Sequence, residues 1–229
     1  MSRVLLAAAA AALLASTSAA AAVLVVRSSG PSAAAYPPGK ALPDTHLMKL
    51  KASDIVVLLD SRGTRTLQGP GSFSVSASAA PTAGAVRTAG TTARRVRLGA
   101  VRGTSPRSVW QADLDRSGNV CIANPADLGL YRGNSSAEAD VTLTDAASGK
   151  KAEVHFAAGQ AIAAWPAELP ATSGARIAVS GLAAPTTLTL KTLSPLPSGL
   201  EGMAQSLIRA NCQAQIDVLI DTFSARSEG

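Results

Sequence analysis

The stretch from Asp54 to Val75, DIVVLLDSRGTRTLQGPGSFSV, carries the densest run of strand and turn signals in this chain. Ile55 to Leu59 is an unbroken apolar run, largely β-branched and too short for an independent helix, so it predicts a buried strand. Ser61 to Thr64 predicts the following turn, because Gly63 can adopt a positive φ. Apolar and polar residues then alternate towards Val75, interrupted by a second turn at Gly69-Pro70-Gly71. The chain is therefore expected to be mainly β in this region.

The bulk composition bounds the size of the core. The chain has 229 residues, of which 47% are hydrophobic, so it is long enough for one or two folded domains. Only 3% are aromatic, and alanine contributes much of the apolar count. Because alanine buries little area per residue, we expect a modest core built from Ala, Val, Leu and Ile.

The positive charge is concentrated in one segment. The formal net charge is +6, and the region from Ser61 to Ala112 holds eight arginines with no lysine and no acidic residue. From Asp113 onward, eight Lys and Arg against twelve Asp and Glu give a net charge of −4. Residues 76–107 are rich in Ala, Thr, Ser, Gly and Arg, which predicts a flexible linker.

The arginines of this linker are a candidate strip for an anionic partner: Arg94, Arg95, Arg97, Arg102 and Arg107. The partner would be another envelope protein, or an anionic polysaccharide or lipid surface. The plainer interpretation is a solvated loop whose charges keep an alanine-rich linker soluble. Nucleic acid is not expected, because the segment lacks interleaved aromatic residues for base stacking.

The N-terminus has the layout of a secretory signal peptide. Met1 to Arg3 is positively charged, an apolar run follows, and small residues lead to Ala20-Ala21-Ala22, so residues 1–22 are expected to be removed. The alternative is an uncleaved membrane anchor within residues 1–26, since Val4 to Val26 carries no charge and is about long enough to span a bilayer. Either way, the location predicted is the cell envelope, periplasmic or secreted in the first case.

Residues 23–75 carry a resemblance to a known family. VLVVR from Val23, GKAL from Gly39 and DIVVLLDSRGTRTLQGPGSF from Asp54 together resemble the FecR-type β domain of bacterial periplasmic proteins. The resemblance implies a small β-sandwich or meander in the cell envelope, often part of signalling or surface-associated proteins, with no catalytic motif. Neither an N-terminal cytoplasmic region nor an interior membrane helix is expected from this sequence, so a direct sigma-regulating role like that of the transmembrane anti-sigma proteins is not predicted.

Residues 108–193 predict a second β domain. Trp110 to Ala123 reads as a hairpin around a turn at Asp115 to Asn119. Six more short strands are predicted, separated by turn residues: Leu128 to Arg132, Ala139 to Thr144, Ala152 to Ala157, Gln160 to Trp165, Ala175 to Ser180 and Thr186 to Thr192. This spacing favours an immunoglobulin-like antiparallel sandwich, although the Cys and Trp spacing of a true immunoglobulin domain is missing.

The turn of this hairpin allows a weaker interpretation as a calcium loop. Asp113, Asp115 and Ser117 match the first half of an EF-hand loop. Its twelfth position is Asn124 instead of a bidentate glutamate, and no flanking helices are predicted. A plain turn is the better interpretation, and no metal or other cofactor is expected.

Residues 198–226 predict a C-terminal amphipathic helix. Ser198 and Glu201 have the spacing of a capping box. Apolar residues then recur at helical spacing from Leu200 to Phe223, with polar residues along the opposite side. The pattern indicates one long helix, of roughly 25 residues if unbroken, that packs on the β domain or on a partner.

The two cysteines, Cys121 and Cys212, both fall at apolar positions, and in an oxidising compartment they would most simply form one disulfide. His46 and His155 are far apart in sequence, outside any metal-ligand spacing, and no catalytic motif is recognised. The chain is expected to be a non-enzymatic envelope protein acting as an interaction, scaffold or sensing module. The alternatives are a hydrolase or carbohydrate-active enzyme with a loop-built site, and a membrane-tethered signalling component.

Overall fold

The computed structural model describes residues 22–76 and 106–224, which form a mainly β fold with several antiparallel sheets and two C-terminal helices. The predicted signal peptide, most of the predicted linker and the last residues of the predicted helix lie outside these ranges. The first β region contains six strands: β1 (Ala22–Ser29), β2 (Ala41–Pro43), β3 (Leu47–Leu50), β4 (Ile55–Asp60), β5 (Gly63–Gln68) and β6 (Gly71–Ser74).

The second β region contains eight strands: β7 (Gln111–Asp113), β8 (Gly118–Ile122), β9 (Gly129–Tyr131), β10 (Ala139–Asp145), β11 (Lys151–Phe156), β12 (Ile162–Ala164), β13 (Arg176–Ser180) and β14 (Thr186–Thr192). A short 3-10 turn, Pro125–Asp127, precedes β9. The helices are α1 (Gly199–Arg209) and α2 (Gln213–Ser224). The mainly β fold class with C-terminal helices is therefore confirmed.

Strand β4 is the centre of the first region. It lies between β1 and β5 in a four-stranded sheet of order β2-β1-β4-β5, and β3 pairs with β6 in a separate two-stranded sheet. Val56 and Leu58 face a cluster that includes Met48 of β3, whereas Val57 and Leu59 face the helices. Because both faces of β4 are covered, its sequence is continuously apolar instead of alternating.

The turn after β4 is confirmed and shows why a glycine is needed there. Gly63 has a φ of +129°, and a side chain on it would approach the carbonyl oxygen of Phe223 in α2 to 2.8 Å. Gly69-Pro70 forms the second expected turn, but β6 then leaves the sheet of β5 and pairs with β3. The first β region thus consists of two packed sheets, and the helices pack on the other face of the four-stranded sheet.

The second region packs a five-stranded sheet, order β11-β10-β13-β14-β8, near a three-stranded sheet, order β12-β9-β7. All six predicted short strands from residue 128 to 192 are present. Their inward residues, such as Leu143, Ile177 and Leu190, share one hydrophobic cluster with Leu114 and Leu130. The sheets are not purely antiparallel, since β14 pairs with β8 and β7 with β9 in parallel.

The hairpin predicted from Trp110 to Ala123 is wrong. Its two strands belong to different sheets, because β7 pairs with β9 and β8 pairs with β14. The backbone of Leu114 explains the divergence: its N–H donates to the carbonyl of Tyr131 at 2.8 Å, and its carbonyl accepts from the Thr186 hydroxyl at 2.8 Å. The four-residue connection between β7 and β8 therefore joins two layers instead of closing a hairpin.

The prediction of a single long C-terminal helix is also wrong, because the helix is interrupted at Asn211. This residue has a φ of +56°, the left-handed conformation that ends helices. The Cys212 N–H donates to the Leu207 carbonyl at 2.9 Å and the Asn211 N–H to the Ile208 carbonyl at 3.0 Å, which is the Schellman pattern. The predicted apolar stripe nevertheless faces inward on both helices.

The predicted capping box is not formed. Ser198 occupies the N-cap position but its side chain makes no capping hydrogen bond, and the Glu201 carboxylate accepts instead from Gln205 at 3.0 Å. Gly199, the first helical residue, has a φ of +66°, which is incompatible with the helical backbone that a capping box needs at that position.

Candidate functional site

The two helices lie between the two β regions and join them. Their apolar face shares a cluster, here called the junction cluster, with β1, β4 and β8. Its buried members are Leu24, Val26, Val57, Leu59, Cys121, Leu193, Ala204, Leu207, Cys212, Ile216, Leu219 and Ile220. Because residues from all three parts contribute, the helices act as a shared core layer and not as an appendage.

The predicted disulfide is present at the centre of the junction cluster. Cys121 of β8 and Cys212, between α1 and α2, are bonded with their Cα atoms 5.9 Å apart. Both residues are fully buried. The bond therefore fastens the helix pair covalently to the second β region across 91 residues of sequence.

A buried glutamine reinforces the same contact. Gln215 of α2 is only 2% exposed. Its Oε1 accepts from the Cys121 N–H at 2.6 Å, and its Nε2 donates to the carbonyls of Cys121 at 2.8 Å and Val109 at 2.5 Å. Strand β8 is at the edge of its sheet, so this side chain pairs with backbone groups that the edge leaves without a neighbouring strand.

An ion-pair cluster completes the junction at its surface. The Asp217 carboxylate of α2 contacts Arg27 of β1 and, at 3.0 Å, the guanidinium of Arg116 before β8. Both arginine side chains are about half exposed, so solvent screens the pairs and their contribution to stability is small. The two ion pairs instead help to position the elements, since one carboxylate contacts an arginine from each β region.

The residues of the weak calcium interpretation have backbone partners. Oδ1 of Asp113 accepts from the Asp115 N–H at 3.1 Å, Oδ2 of Asp115 accepts from the Gly133 N–H at 2.5 Å, and the Ser117 hydroxyl accepts from the Thr187 N–H at 3.0 Å. Burial raises the pKa of the Asp113 carboxyl. Within residues 22–76 and 106–224, no three His, Cys, Asp or Glu side chains come together in a way that could hold a metal ion.

The two histidines, His46 and His155, lie in different β regions. His155 pairs with Asp140 at 2.7 Å on the exposed side of β11, and His46 packs edge-on against Tyr36 in the first β region. Asp127 accepts from Asn124 at 3.0 Å in the 3-10 turn. These histidines are therefore in different parts of the fold.

Of the arginine strip, only Arg107 lies within the described residues; Arg94, Arg95, Arg97 and Arg102 lie outside them. Arg107 is exposed, and its N–H donates to Oε1 of Gln111 at 2.8 Å. The Ser108 N–H donates to the same oxygen at 3.2 Å. The end of the arginine-rich segment is thus fixed to the start of β7.

An open groove of about 540 Å³, here called the Trp110 groove, begins directly after Arg107. It lies along the three-stranded sheet, and its lining includes Trp110, Gln111, Asp127, Gly129, Ile162 and Ala164. Trp110 is half-buried and also packs against the junction cluster. Ile162 is 37% exposed, which is unusual for a large apolar side chain in this fold.

Two of these features escaped the sequence interpretation. Gln215 interrupts an apolar helix face, and a polar residue between Cys212 and Ile216 was the available signal that the face meets backbone groups. The position of Trp110 in a groove depends on the pairing of β7 with β9, which the local hairpin pattern does not indicate.

No family model, curated protein or solved structure matches this chain. Among the described residues, no helix is both long enough and apolar enough to cross a membrane.

Proposed function

We propose that this chain is a non-enzymatic, exported protein of the cell envelope that acts as an interaction or scaffold module. The observation that carries the proposal is the buried Cys121–Cys212 disulfide. Stable structural disulfides form in oxidising compartments such as the periplasm or the cell exterior. An apolar leader with the layout of a signal peptide supports the same location.

The interaction role is supported by the distribution of charge along the sequence. The segment from Ser61 to Ala112 holds eight arginines and no acidic residue, whereas the chain from Asp113 onward is net negative. A cationic segment of this kind favours association with acidic partners at long range. The partner we propose is another envelope protein, or an anionic polysaccharide or lipid surface, and the FecR-like character of residues 23–75 remains a prediction consistent with it.

A co-sedimentation experiment tests this role. Purified full chain is mixed with envelopes isolated from the native host, and the bound fraction is measured at low and physiological salt. We expect binding that falls with salt and is lost when Arg94, Arg95, Arg97 and Arg102 are all changed to Gln, because those charges supply the attraction.

The matched control changes four exposed cations elsewhere to Gln: Lys49, Lys150, Lys151 and Arg176. This variant loses the same net charge. If binding depends on the arginine strip itself, we expect the variant still to bind. Equal loss in both variants would show that only overall charge matters, and envelope binding by neither the wild type nor the control would contradict the interaction role.

A further inference from the structure

The lining of the Trp110 groove combines small residues with one large aromatic side chain. Part of its wall comes from residues with little or no side chain, Gly129, Ala163 and Ala164, beside the half-buried Trp110. A tryptophan presents a broad apolar surface with one polar N–H, which suits ligands that are apolar on one side and wet on the other. Because the groove is open and its small residues leave room beside the indole, it favours a ring-based polymer lying along it.

The polar residues around the groove are held in place before any ligand arrives. Oε1 of Gln111 accepts from the N–H groups of Arg107 and Ser108. On the other side, the Gln160 side chain accepts from the Ala157 N–H at 3.1 Å and donates to the Ile162 carbonyl at 3.0 Å. Fixed side chains lose little conformational entropy on binding, so such a rim is pre-organised for recognition.

The charge at the groove favours an anionic ligand. Arg107 directly precedes the lining residue Ser108, its side chain is exposed, and its backbone N–H donates to the lining residue Gln111. Asp127 is the acidic residue in the lining, and its carboxylate is already engaged by Asn124. This neighbouring cation and the apolar indole together match a polymer that carries carboxylates on sugar rings.

We propose that the Trp110 groove binds an acidic polysaccharide, with a sugar ring against Trp110 and a carboxylate near Arg107. The inference rests on the proposed function, which it narrows to one class of partner and one surface. An acidic protein segment could meet the same charge, and the experiment below separates the two.

The test uses the full chain carrying Trp165→Phe, so that Trp110 is the single tryptophan. Its fluorescence is titrated with polygalacturonate as the probe. We expect a saturable blue shift, because a ring stacked on the indole excludes water from it. Arg107→Ala, which removes an exposed charge next to the groove lining, should weaken binding by about threefold to tenfold.

A groove-filling variant locates the site. Ala164→Glu places a larger, negative side chain in the groove and should weaken binding by more than about tenfold through steric and charge repulsion. Its matched control is Ala178→Glu, an exposed alanine of β13 in a different sheet, which should bind like the parent chain. Circular dichroism of each variant verifies that the fold is retained.

Four results would overturn the inference: no spectral change with polygalacturonate, unchanged binding by Ala164→Glu, equal binding of neutral dextran, or equal displacement by poly-glutamate. The last would identify an acidic protein as the occupant. None of these results decides the proposed interaction role. That role is tested separately by envelope co-sedimentation, which depends on the four arginines outside this groove.

Discussion

At the scale of single residues, Gln215 illustrates how one buried polar side chain determines a contact between elements. Its amide pairs with both backbone groups of Cys121 and with the Val109 carbonyl. A side chain that both donates and accepts is required at this position, and an apolar residue of similar size would leave three backbone groups without partners.

Gln215→Leu should therefore lower the free energy of unfolding by about 3 kcal/mol, because buried backbone groups lose their partners. Urea unfolding of the oxidised chain measures this change. The control is Gln213→Leu, an exposed neighbour on the same helix, which should change stability by less than about 0.5 kcal/mol. Equal stability of Gln215→Leu and wild type would refute the proposed role of the amide.

Asp54 is a second residue with a specific role. Its carboxylate is buried and accepts from the N–H groups of Ser32 at 2.8 Å and Lys51 at 2.5 Å, fixing the loop after β1. Gly30 lies so close that a side chain there would come within 2.6 Å of the same carboxylate. Burial acts to raise the pKa of Asp54, but the hydrogen bonds from Ser32 and Lys51 outweigh it and lower the pKa overall.

A lowered pKa in the folded state gives a defined acid dependence. The stabilisation by Asp54 is present above the carboxyl's ordinary value of 3.8 and is lost as the pH falls through its lower folded value. Asp54→Asn should thus be less stable than wild type at pH 7, with a difference that shrinks below pH 3.8. Thermal unfolding between pH 7 and pH 2.5 measures it, with the exposed Asp221→Asn as control; a difference independent of pH would rule out the carboxylate.

At the scale of elements, the sequence of β4 predicted its role well, since an unbroken apolar run needs burial on both faces. Short alternating runs from residue 128 to 192 predicted six strands, because period-2 alternation marks a strand with one buried face. The pairing of β7 and β8 could not be predicted, since the turn residues Asp115 to Asn119 fit a hairpin locally. The long-range hydrogen bonds of Leu114 overrode that local preference.

The helix break at Asn211 was similarly hidden by a continuous apolar stripe. The signal was present, because asparagine is one of the few residues that tolerate a left-handed backbone at a helix end. The disulfide at the next residue requires the chain to turn there, and this tertiary constraint is not visible in the helical pattern.

A pair of substitutions tests the break. Asn211→Ala should lower the free energy of unfolding by about 1 kcal/mol, because alanine is strained at a φ of +56°. Asn211→Gly should leave stability unchanged or slightly raised, since glycine adopts this conformation without strain. Urea unfolding compares the two variants, and a more stable alanine variant would mean that α1 and α2 can merge without cost.

At the scale of the whole molecule, the junction cluster makes the helices a common layer between the two β regions. The pairing of Cys121 with Cys212 was predictable because both fall at apolar positions in a chain with an apolar leader. The candidate groove was not, because it depends on which strands share a sheet and on where Trp110 lies relative to Arg107.

Loss of the disulfide should affect the entire fold. The double variant Cys121→Ala, Cys212→Ala frees a loop of 91 residues, which by chain entropy should lower the free energy of unfolding by about 4 kcal/mol. Urea unfolding of the variant, compared with oxidised and reduced wild type, measures the effect. Reduced wild type should behave like the variant, and a loss below about 1 kcal/mol would show that packing alone holds the junction.

We propose that this is an exported protein stabilised by a disulfide. The most direct test is intact-mass analysis of the protein recovered from fractions of its native host. We expect a chain in the periplasm or medium that lacks roughly its first 22 residues and the two thiol hydrogens of Cys121 and Cys212. A full-length, fully reduced chain in the cytoplasm would contradict it.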